Sequence, residues 1–123
     1  MVQEGTMNPS LSVLIVDDNA KMRSMIASII KRKTSKIFEC ADGMDALGEY
    51  NLHRPDWVLM DVKMNDMDGL TATGLIHERF PKAKVMIMTQ DDTKAMREAA
   101  QQVGASAFVA KENLLGILDN LKP

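Results

Sequence analysis

The chain has 123 residues and a formal net charge of -2 at pH 7; 46% of its residues are hydrophobic and 26% are charged. This length and balance are typical of one globular domain with a continuous core. The charge provides no basic field that would draw the protein to nucleic acid or to an anionic membrane. A single cysteine, Cys40, excludes an internal disulfide, and no apolar run reaches the roughly 18 residues that span a bilayer. We therefore expect a cytoplasmic domain without a membrane or nucleic-acid partner.

The first half of the chain begins with residues 1–10, which are polar and aperiodic, and we expect a disordered tail there before a domain over residues 11–123. Leu11–Val16 is an apolar segment that predicts a strand, and Asn19 is a good N-cap for a helix closed by the cations Lys31–Lys33. The second predicted strand, Lys36–Ala41, is more polar, which suits the edge of a sheet. A helix from Gly43 to about Leu52 follows it.

The second half repeats this alternation. The third predicted strand, Trp57–Asp61, precedes a helix opened by Asp68-Gly69 and stopped by Pro81. Val85–Met88 predicts the fourth strand, followed by a helix that Gly104 closes as a C′ residue. The fifth strand is predicted at 107–110 and the last helix at 113–121. Apolar strands alternating with amphipathic helices predict an α/β fold, a doubly wound parallel sheet of five strands with helices on both faces.

Polar residues stand where four of the five predicted strands end. They are Asp17 and Asp18, Asp61, Thr89, and Lys111. Ligands of doubly wound sheets bind outside the carboxyl ends of the strands, so we expect these side chains to share one rim. Three clustered carboxylates repel one another unless a cation is present, and hard oxygen ligands suit Mg²⁺.

This set of residues also suits phosphoryl transfer. A carboxylate can attack phosphorus to give an aspartyl-phosphate, whose oxygens Mg²⁺, the Thr89 hydroxyl and the Lys111 ammonium would stabilise. Taken singly, each residue has a simpler interpretation. Asp17 and Asp18 could have no role beyond capping the first helix, and Asp61 could be a solvated loop carboxylate. Their joint placement on separate strand ends favours the site.

Over roughly residues 11–121 the chain resembles the receiver domains of bacterial two-component response regulators. The resemblance rests on six short segments, namely residues 14–19, 56–61, 67–69, Thr89, 104–105 and 108–111. It implies the strand order 2-1-3-4-5 of a flavodoxin-like fold. It also implies a phosphorylation-controlled signalling switch rather than an enzyme, although the domain assists its own phosphotransfer and dephosphorylation.

The resemblance implies a role for each matching position in the site. Asp61 matches the phosphoacceptor, Asp18 the direct Mg²⁺ ligand, and Asp17 an assisting ligand, with Asp61 and the backbone carbonyl of Lys63 completing the metal site. Thr89 and Lys111 match the hydroxyl and the cation that contact the phosphoryl group. Two further positions match the features that report and tune the state. Phe108 matches the aromatic switch, and the modulators of dephosphorylation are Lys63, Gln90 and Asp91.

The implied partners are a histidine kinase or phosphotransfer protein that donates the phosphoryl group, and a downstream protein or output domain. The resemblance assigns the second contact to the surface of helix 4, strand 5 and helix 5. The last helix lacks the basic run of family members that dimerise through this surface, so a charge-paired dimer of that type is not expected.

The sequence departs from the family pattern near the site. Glu112 replaces the usual proline after Lys111, which predicts a trans peptide bond there or a strained cis bond. Gln90 is larger than the usual alanine or glycine and is expected to hinder access, while Lys63 and Asp91 are expected to pair across the mouth. These features together predict a long-lived phosphorylated form. Phe108 lacks a tyrosine hydroxyl and is expected to be buried.

Three other interpretations remain open on the sequence. A pseudo-receiver would keep the fold and act as a binding module without phosphorylation. A small Mg²⁺-dependent phosphatase of the haloacid-dehalogenase type would also form an aspartyl-phosphate, but that family has Asp-x-Asp where this chain has Asp17-Asp18-Asn19. A flavodoxin-like electron carrier would need a hydroxyl-rich phosphate loop after the first strand, which the sequence lacks.

Overall fold

The computed structural model describes residues 11–123, so the expected tail at 1–10 lies outside the described residues. Five strands and five α-helices alternate along the described chain. The strands are β1 (Leu11–Val16), β2 (Thr34–Cys40), β3 (Trp57–Asp61), β4 (Val85–Thr89) and β5 (Ala107–Ala110). The helices are α1 (Ala20–Ile30), α2 (Gly43–His53), α3 (Gly69–Arg79), α4 (Lys94–Gln102) and α5 (Gly116–Asn120).

The strands form one parallel sheet in the order β2-β1-β3-β4-β5, which confirms the predicted doubly wound fold. β2 is an edge strand, as its polarity predicts. In the centre of the sheet, Met60 of β3 lies between Val16 of β1 and Ile87 of β4. This register brings the ends of the three central strands to one edge, with Asp61 beside Met88 and one position short of Thr89.

Apolar side chains cover both faces of the sheet. Leu14, Met60 and Ile87 point to the face covered by α2, α3 and α4. Ile15 and Leu59 point to the other face, which α1 and α5 cover. All five side chains are fully buried, and each such burial contributes roughly 1.5–3 kcal/mol. The carboxyl edge is thus held on a rigid core.

Side-chain caps fix the beginnings of four helices next to that edge. Each cap oxygen accepts a hydrogen bond from a backbone N–H in the first turn of its helix, and the capping residues are Asn19, Asp42, Asp68 and Thr93. A helix therefore begins close to the end of each of the first four strands. Caps of this kind contribute about 1 kcal/mol each.

Several element boundaries differ from the sequence prediction, and two of these differences are that β2 ends at Cys40 rather than at Ala41 and that the last helix ends at Asn120 rather than at Leu121. The basic run Lys31–Lys33 is a separate 3-10 turn rather than the end of α1, and β2 begins at Thr34 rather than at Lys36. The Thr34 hydroxyl donates to the carbonyl of Ile30, which makes the passage from helix to strand abrupt. The last helix was predicted at 113–121 but covers only Gly116–Asn120, because a 3-10 turn at 111–113 precedes α5.

The predicted C′ role of Gly104 is confirmed by its φ of 93°. A side chain there would also collide with the ring of His77, since a Cβ would lie 2.5 Å from the imidazole Cγ. Glycine is therefore required both by the left-handed backbone and by the close packing of α3. Within residues 11–123, no helix combines the length and the apolar character needed to cross a membrane.

Candidate functional site

The polar residues predicted from the strand ends meet in one cleft at the carboxyl edge of the sheet. The cleft has a volume of about 210 Å³. All five predicted strand-end residues line it, together with two of the predicted modulators; these are Asp17, Asp18, Asp61, Thr89, Lys111, Lys63 and Gln90. The structure therefore brings together side chains that are up to 94 positions apart in the sequence.

Three carboxylates form the acidic part of the cleft. One oxygen from each of Asp17, Asp18 and Asp61 can be chosen so that all three lie within 4.8 Å of one another. Asp17 and Asp61 are buried, whereas Asp18 is exposed at the opening. This combination of hard oxygen donors with one solvent-facing side fits Mg²⁺, which keeps several water ligands.

Lys111 supplies the positive charge that the acidic group needs. Its Nζ lies 2.9 Å from Oδ1 of Asp61 and 3.1 Å from Oδ2 of Asp17. Burial by itself would lower the pKa of Lys111, but the hydrogen bonds and charges of Asp61 and Asp17 outweigh it, and the net pKa is raised. Lys111 is therefore a firmly protonated ammonium that binds two carboxylates at once.

The pKa of Asp61 is raised above its ordinary value despite this contact. Burial is the main cause, and the negative charges of Asp17 and Asp18 add to it, while the hydrogen bond and charge of Lys111 lower the pKa in part. The ionised carboxylate of Asp61 is thus held in an environment that is short of positive charge. A divalent cation would supply that charge.

Thr89 ends β4 with a buried side chain. Its Oγ1 accepts a hydrogen bond from the backbone N–H of Asp91 at 3.0 Å. The hydroxyl proton has no acceptor among the hydrogen bonds of the described residues, and Thr89 faces the cleft. The side chain can therefore donate to an oxygen that enters the cleft.

Close backbone packing fixes the end of β3. The N–H of Gly69, the first residue of α3, donates to the carbonyl of Val62 at 2.8 Å. A Cβ at position 69 would overlap the carbonyl of Asp61 and lie 2.9 Å from Cγ of Met60. Only glycine allows α3 to begin this near the backbone of Asp61.

At the mouth of the cleft, one predicted interaction is wrong. Lys63 and Asp91 form no ion pair in the structure of residues 11–123. Gln90 is exposed and lines the cleft. Of the two alternatives for the peptide after Lys111, the structure has the trans form, since residues 11–123 contain no cis bond.

Phe108 on β5 is half-buried rather than buried, because it lies at the surface between β5 and α4. The guanidinium of Arg97 lies 4.6 Å from the centre of its ring. The ring also borders a cavity of about 430 Å³ between α4 and β5. This aromatic side chain is therefore accessible next to an open groove.

Sequence reasoning missed Arg23. This side chain on α1 donates from Nη1 to the backbone carbonyl of Asp17 at 2.6 Å and from Nε to Oε1 of Glu39 on β2 at 2.8 Å. The available signal was a cation four residues after the N-cap Asn19, one helical turn into α1. It was missed because the contacts of Arg23 cross between elements.

Comparisons with known proteins identify the family of this chain. The family model of the response regulator receiver domain matches residues 13–119. The chain is 36% identical over 102 residues to the chemotaxis protein CheY of Listeria monocytogenes, covering 82% of this chain and 86% of the relative. It is 37% identical over 100 residues to CheY of Bacillus subtilis, covering 80% and 83%.

Solved structures give the same result. The fold is similar to that of the CheX-CheY-BeF3-Mg complex from Borrelia burgdorferi, with a TM-score of 0.84 and 27% identity over 90% of this chain and 86% of that one. A LuxR-family two-component response regulator from Aurantimonas has a TM-score of 0.84 and 26% identity, covering 89% and 81%.

Proposed function

This chain belongs to the response regulator receiver domain family of two-component signalling, and from that premise we propose that it is a switch controlled by phosphorylation of Asp61. Receiver domains act in signalling and are generally not classical enzymes. A phosphohistidine on a histidine kinase or phosphotransfer protein is the proposed donor. The phosphorylated chain then changes its affinity for a downstream protein or output domain.

The observation that carries this proposal is the position of Lys111 between Asp61 and Asp17. The 2.9 Å contact to Asp61 places an ammonium directly beside one carboxylate oxygen. When that carboxylate becomes an acyl phosphate, the negative charge lies on the new phosphoryl oxygens, and the same ammonium can form its ion pair with them instead. A purely structural ion pair does not require the exposed carboxylate of Asp18 or the Thr89 hydroxyl in the same cleft.

In the proposed transfer, a carboxylate oxygen of Asp61 forms a bond to phosphorus while the bond between phosphorus and the donor's imidazole nitrogen breaks. The imidazole leaves with the electron pair of that bond and takes a proton from solvent. Asp61 must be ionised to attack, and Lys111 favours the ionised form.

Mg²⁺ is the proposed cofactor, and when bound it would neutralise charge on the phosphoryl oxygens. Its protein ligands would be the carboxylates of Asp17, Asp18 and Asp61 and the backbone carbonyl of Lys63. The grouping of the three carboxylate oxygens within 4.8 Å supports this assignment. The raised pKa of Asp61 supports it as well, since the site is short of positive charge.

Thr89 and Phe108 are the proposed switch residues. The Thr89 hydroxyl has a free proton to donate to a phosphoryl oxygen. Movement of Thr89 toward that oxygen would draw the end of β4 toward Asp61. Phe108 lies on the neighbouring strand beside the groove at α4. A shift of populations at this surface of α4, β5 and α5 would change the affinity for the output partner.

The proposal is tested by measuring intact mass after incubation with Mg²⁺ and acetyl phosphate. We expect the wild type to gain the mass of one phosphoryl group, and we expect Asp61→Asn to gain none. Asp66→Asn, which changes an exposed carboxylate in the following loop, is the matched control and should behave as the wild type. No gain in the wild type with either acetyl phosphate or a phosphorylated histidine kinase would contradict the proposal and favour the pseudo-receiver.

A further inference from the structure

Arg23 connects three parts of the structure near the acidic cleft. It lies on α1, and its guanidinium contacts the backbone at the end of β1 and the carboxylate of Glu39 on the edge strand β2. The side chain of Arg23 is 18% exposed and that of its partner Glu39 is 44% exposed. The guanidinium makes charge-assisted hydrogen bonds to two different elements, which restricts motion more than a single exposed ion pair does.

The carbonyl that Arg23 holds belongs to the peptide bond between Asp17 and Asp18. The orientation of this planar peptide, together with the φ angle of Asp18, sets the direction in which the Asp18 side chain leaves the backbone. The N–H on the other side of Asp17 is also held, since it donates to the carbonyl of Cys40 at 3.2 Å. The backbone of Asp17 is therefore fixed from both sides.

The side chain of Asp18 has no such support of its own. Its carboxylate is exposed and accepts no hydrogen bond from residues 11–123, whereas Asp17 accepts one from the N–H of Asn19 at 2.8 Å. The position of the Asp18 carboxylate thus depends on its backbone. Arg23 is the side chain that fixes that backbone at the carbonyl of Asp17.

Glu39 serves a second purpose in this arrangement. An unpaired guanidinium at the backbone carbonyl of Asp17 would lower the affinity of the nearby carboxylates for a divalent cation through repulsion between positive charges. The 2.8 Å contact with Glu39 balances that charge and also fixes the guanidinium. The bridge therefore restrains the Asp17–Asp18 backbone without adding net positive charge to the site.

We propose that Arg23, held by Glu39, is a positioning residue that sets the Mg²⁺ affinity of the Asp17–Asp18 pair. This inference rests on the proposed function, because it takes the three carboxylates as the metal site. Arg23 is not one of the residues that line the cleft. It acts through the peptide that carries Asp18.

The test is the dissociation constant of Mg²⁺, measured by isothermal titration calorimetry with the metal alone. We expect Arg23→Lys to bind Mg²⁺ about tenfold more weakly, the lower end of the range for partners that orient metal ligands. Lysine keeps the positive charge, but it lacks the planar guanidinium that donates to the Asp17 carbonyl and to Glu39 at the same time. Glu39→Gln should show a smaller loss of Mg²⁺ affinity, because the charge of Arg23 is no longer balanced. This loss should increase at low ionic strength, where the charge is less screened.

The control is Arg54→Lys. Arg54 follows α2 near the opposite edge of the sheet, and its guanidinium bonds Asn51 rather than the cleft. This variant should bind Mg²⁺ as the wild type does. Urea unfolding in EDTA is measured for every variant, so that a change in stability is recorded separately from a change in metal affinity. Should Arg23→Lys not fold, Glu39→Gln carries the test on its own.

The outcomes separate the two claims. Wild-type affinity in folded Arg23→Lys and in Glu39→Gln would overturn this inference and leave the proposed function standing. Absence of Mg²⁺ binding in the wild type, under conditions where it is folded, would overturn both. Weaker binding in Arg23→Lys, with unchanged binding in Arg54→Lys, would support the positioning role.

Discussion

At the scale of single residues, Asp61 combines two conflicting requirements. Its carboxylate must be ionised to act as a nucleophile, but burial and the neighbouring Asp17 and Asp18 make that ionised form costly. Lys111 offsets only part of the cost, so the pKa of Asp61 remains raised. Native proteins often give up stability at sites where function requires such charge clusters.

Replacing Asp61 by asparagine should therefore stabilise the fold in the absence of Mg²⁺. We expect the free energy of unfolding at about pH 8 to rise by about 1–3 kcal/mol, the cost that mutational data assign to an incompletely compensated buried polar group. Lys111 keeps Asp17 as a partner in this variant. Urea unfolding in EDTA measures the difference.

The pH dependence of this difference has a defined sign. A carboxyl group whose pKa is raised in the folded state lowers stability above that pKa, and the loss disappears as the pH falls toward the unfolded pKa of about 3.9. The advantage of Asp61→Asn should shrink accordingly between about pH 8 and pH 4. A constant advantage over this range, or a variant less stable than the wild type at the higher pH, would contradict the assigned cause.

Gln90 is the residue whose effect on the lifetime of the phosphorylated form follows from its position. Its exposed side chain lines the cleft next to Thr89 in the sequence, so truncation should admit water more readily. We expect Gln90→Ala to hydrolyse the acyl phosphate faster than the wild type, as measured by the decay of the phosphorylated mass after removal of the donor. Gln101→Ala, exposed on α4 away from this cleft, should decay as the wild type does. Equal rates in Gln90→Ala and the wild type would show that this side chain does not shield the site.

At the scale of elements, the beginning of α3 is packed directly against the end of β3. A methyl group at position 69 would overlap the Asp61 carbonyl, so Gly69→Ala must move either the helix or the strand end. We expect a loss of about 1–3 kcal/mol, typical of overpacking, together with slower phosphorylation of Asp61. Chemical denaturation and the rate of mass gain with acetyl phosphate measure the two effects.

Gly48→Ala is the matched control for this substitution. Gly48 is exposed in the middle of α2, and a Cβ there meets no atom within 4 Å. The same chemical change should therefore stabilise the protein by roughly 0.5–1 kcal/mol, since alanine is the better helix former. If both variants lost stability equally, the close approach of α3 to Asp61 would not be the reason.

The elements themselves were largely predictable from the sequence, because apolar strands and capped helices have strong local signals. The strand Trp57–Asp61 is predicted correctly from an uninterrupted apolar run that ends in a carboxylate. The sequence prediction failed where distant contacts decide. Thr34 joins β2 because it pairs with Leu11 across the sheet, and the half-burial of Phe108 reflects its position between β5 and α4.

At the scale of the whole molecule, the parallel topology explains why so much of the site was predictable. Every strand of such a sheet ends at the same edge, so polar residues at strand ends meet whatever their separation in sequence. The contacts of Arg23 were not predictable in this way, because they depend on how α1 is rotated against β1 and β2. The absence of an ion pair between Lys63 and Asp91 in residues 11–123 was not predictable either, since the positions of side chains at the mouth of a cleft depend on the conformation of loops.

The central claim is that the acyl phosphate forms on Asp61 and depends on the metal. The most direct measurement is reductive trapping: borohydride converts an aspartyl-phosphate to homoserine, and tandem mass spectrometry of the peptides then locates the modified residue. The account predicts homoserine at position 61 only when phosphodonor and Mg²⁺ are both present, with Asp17 and Asp18 unmodified. Homoserine at either of those positions, or none at 61 under conditions that phosphorylate the protein, would contradict it.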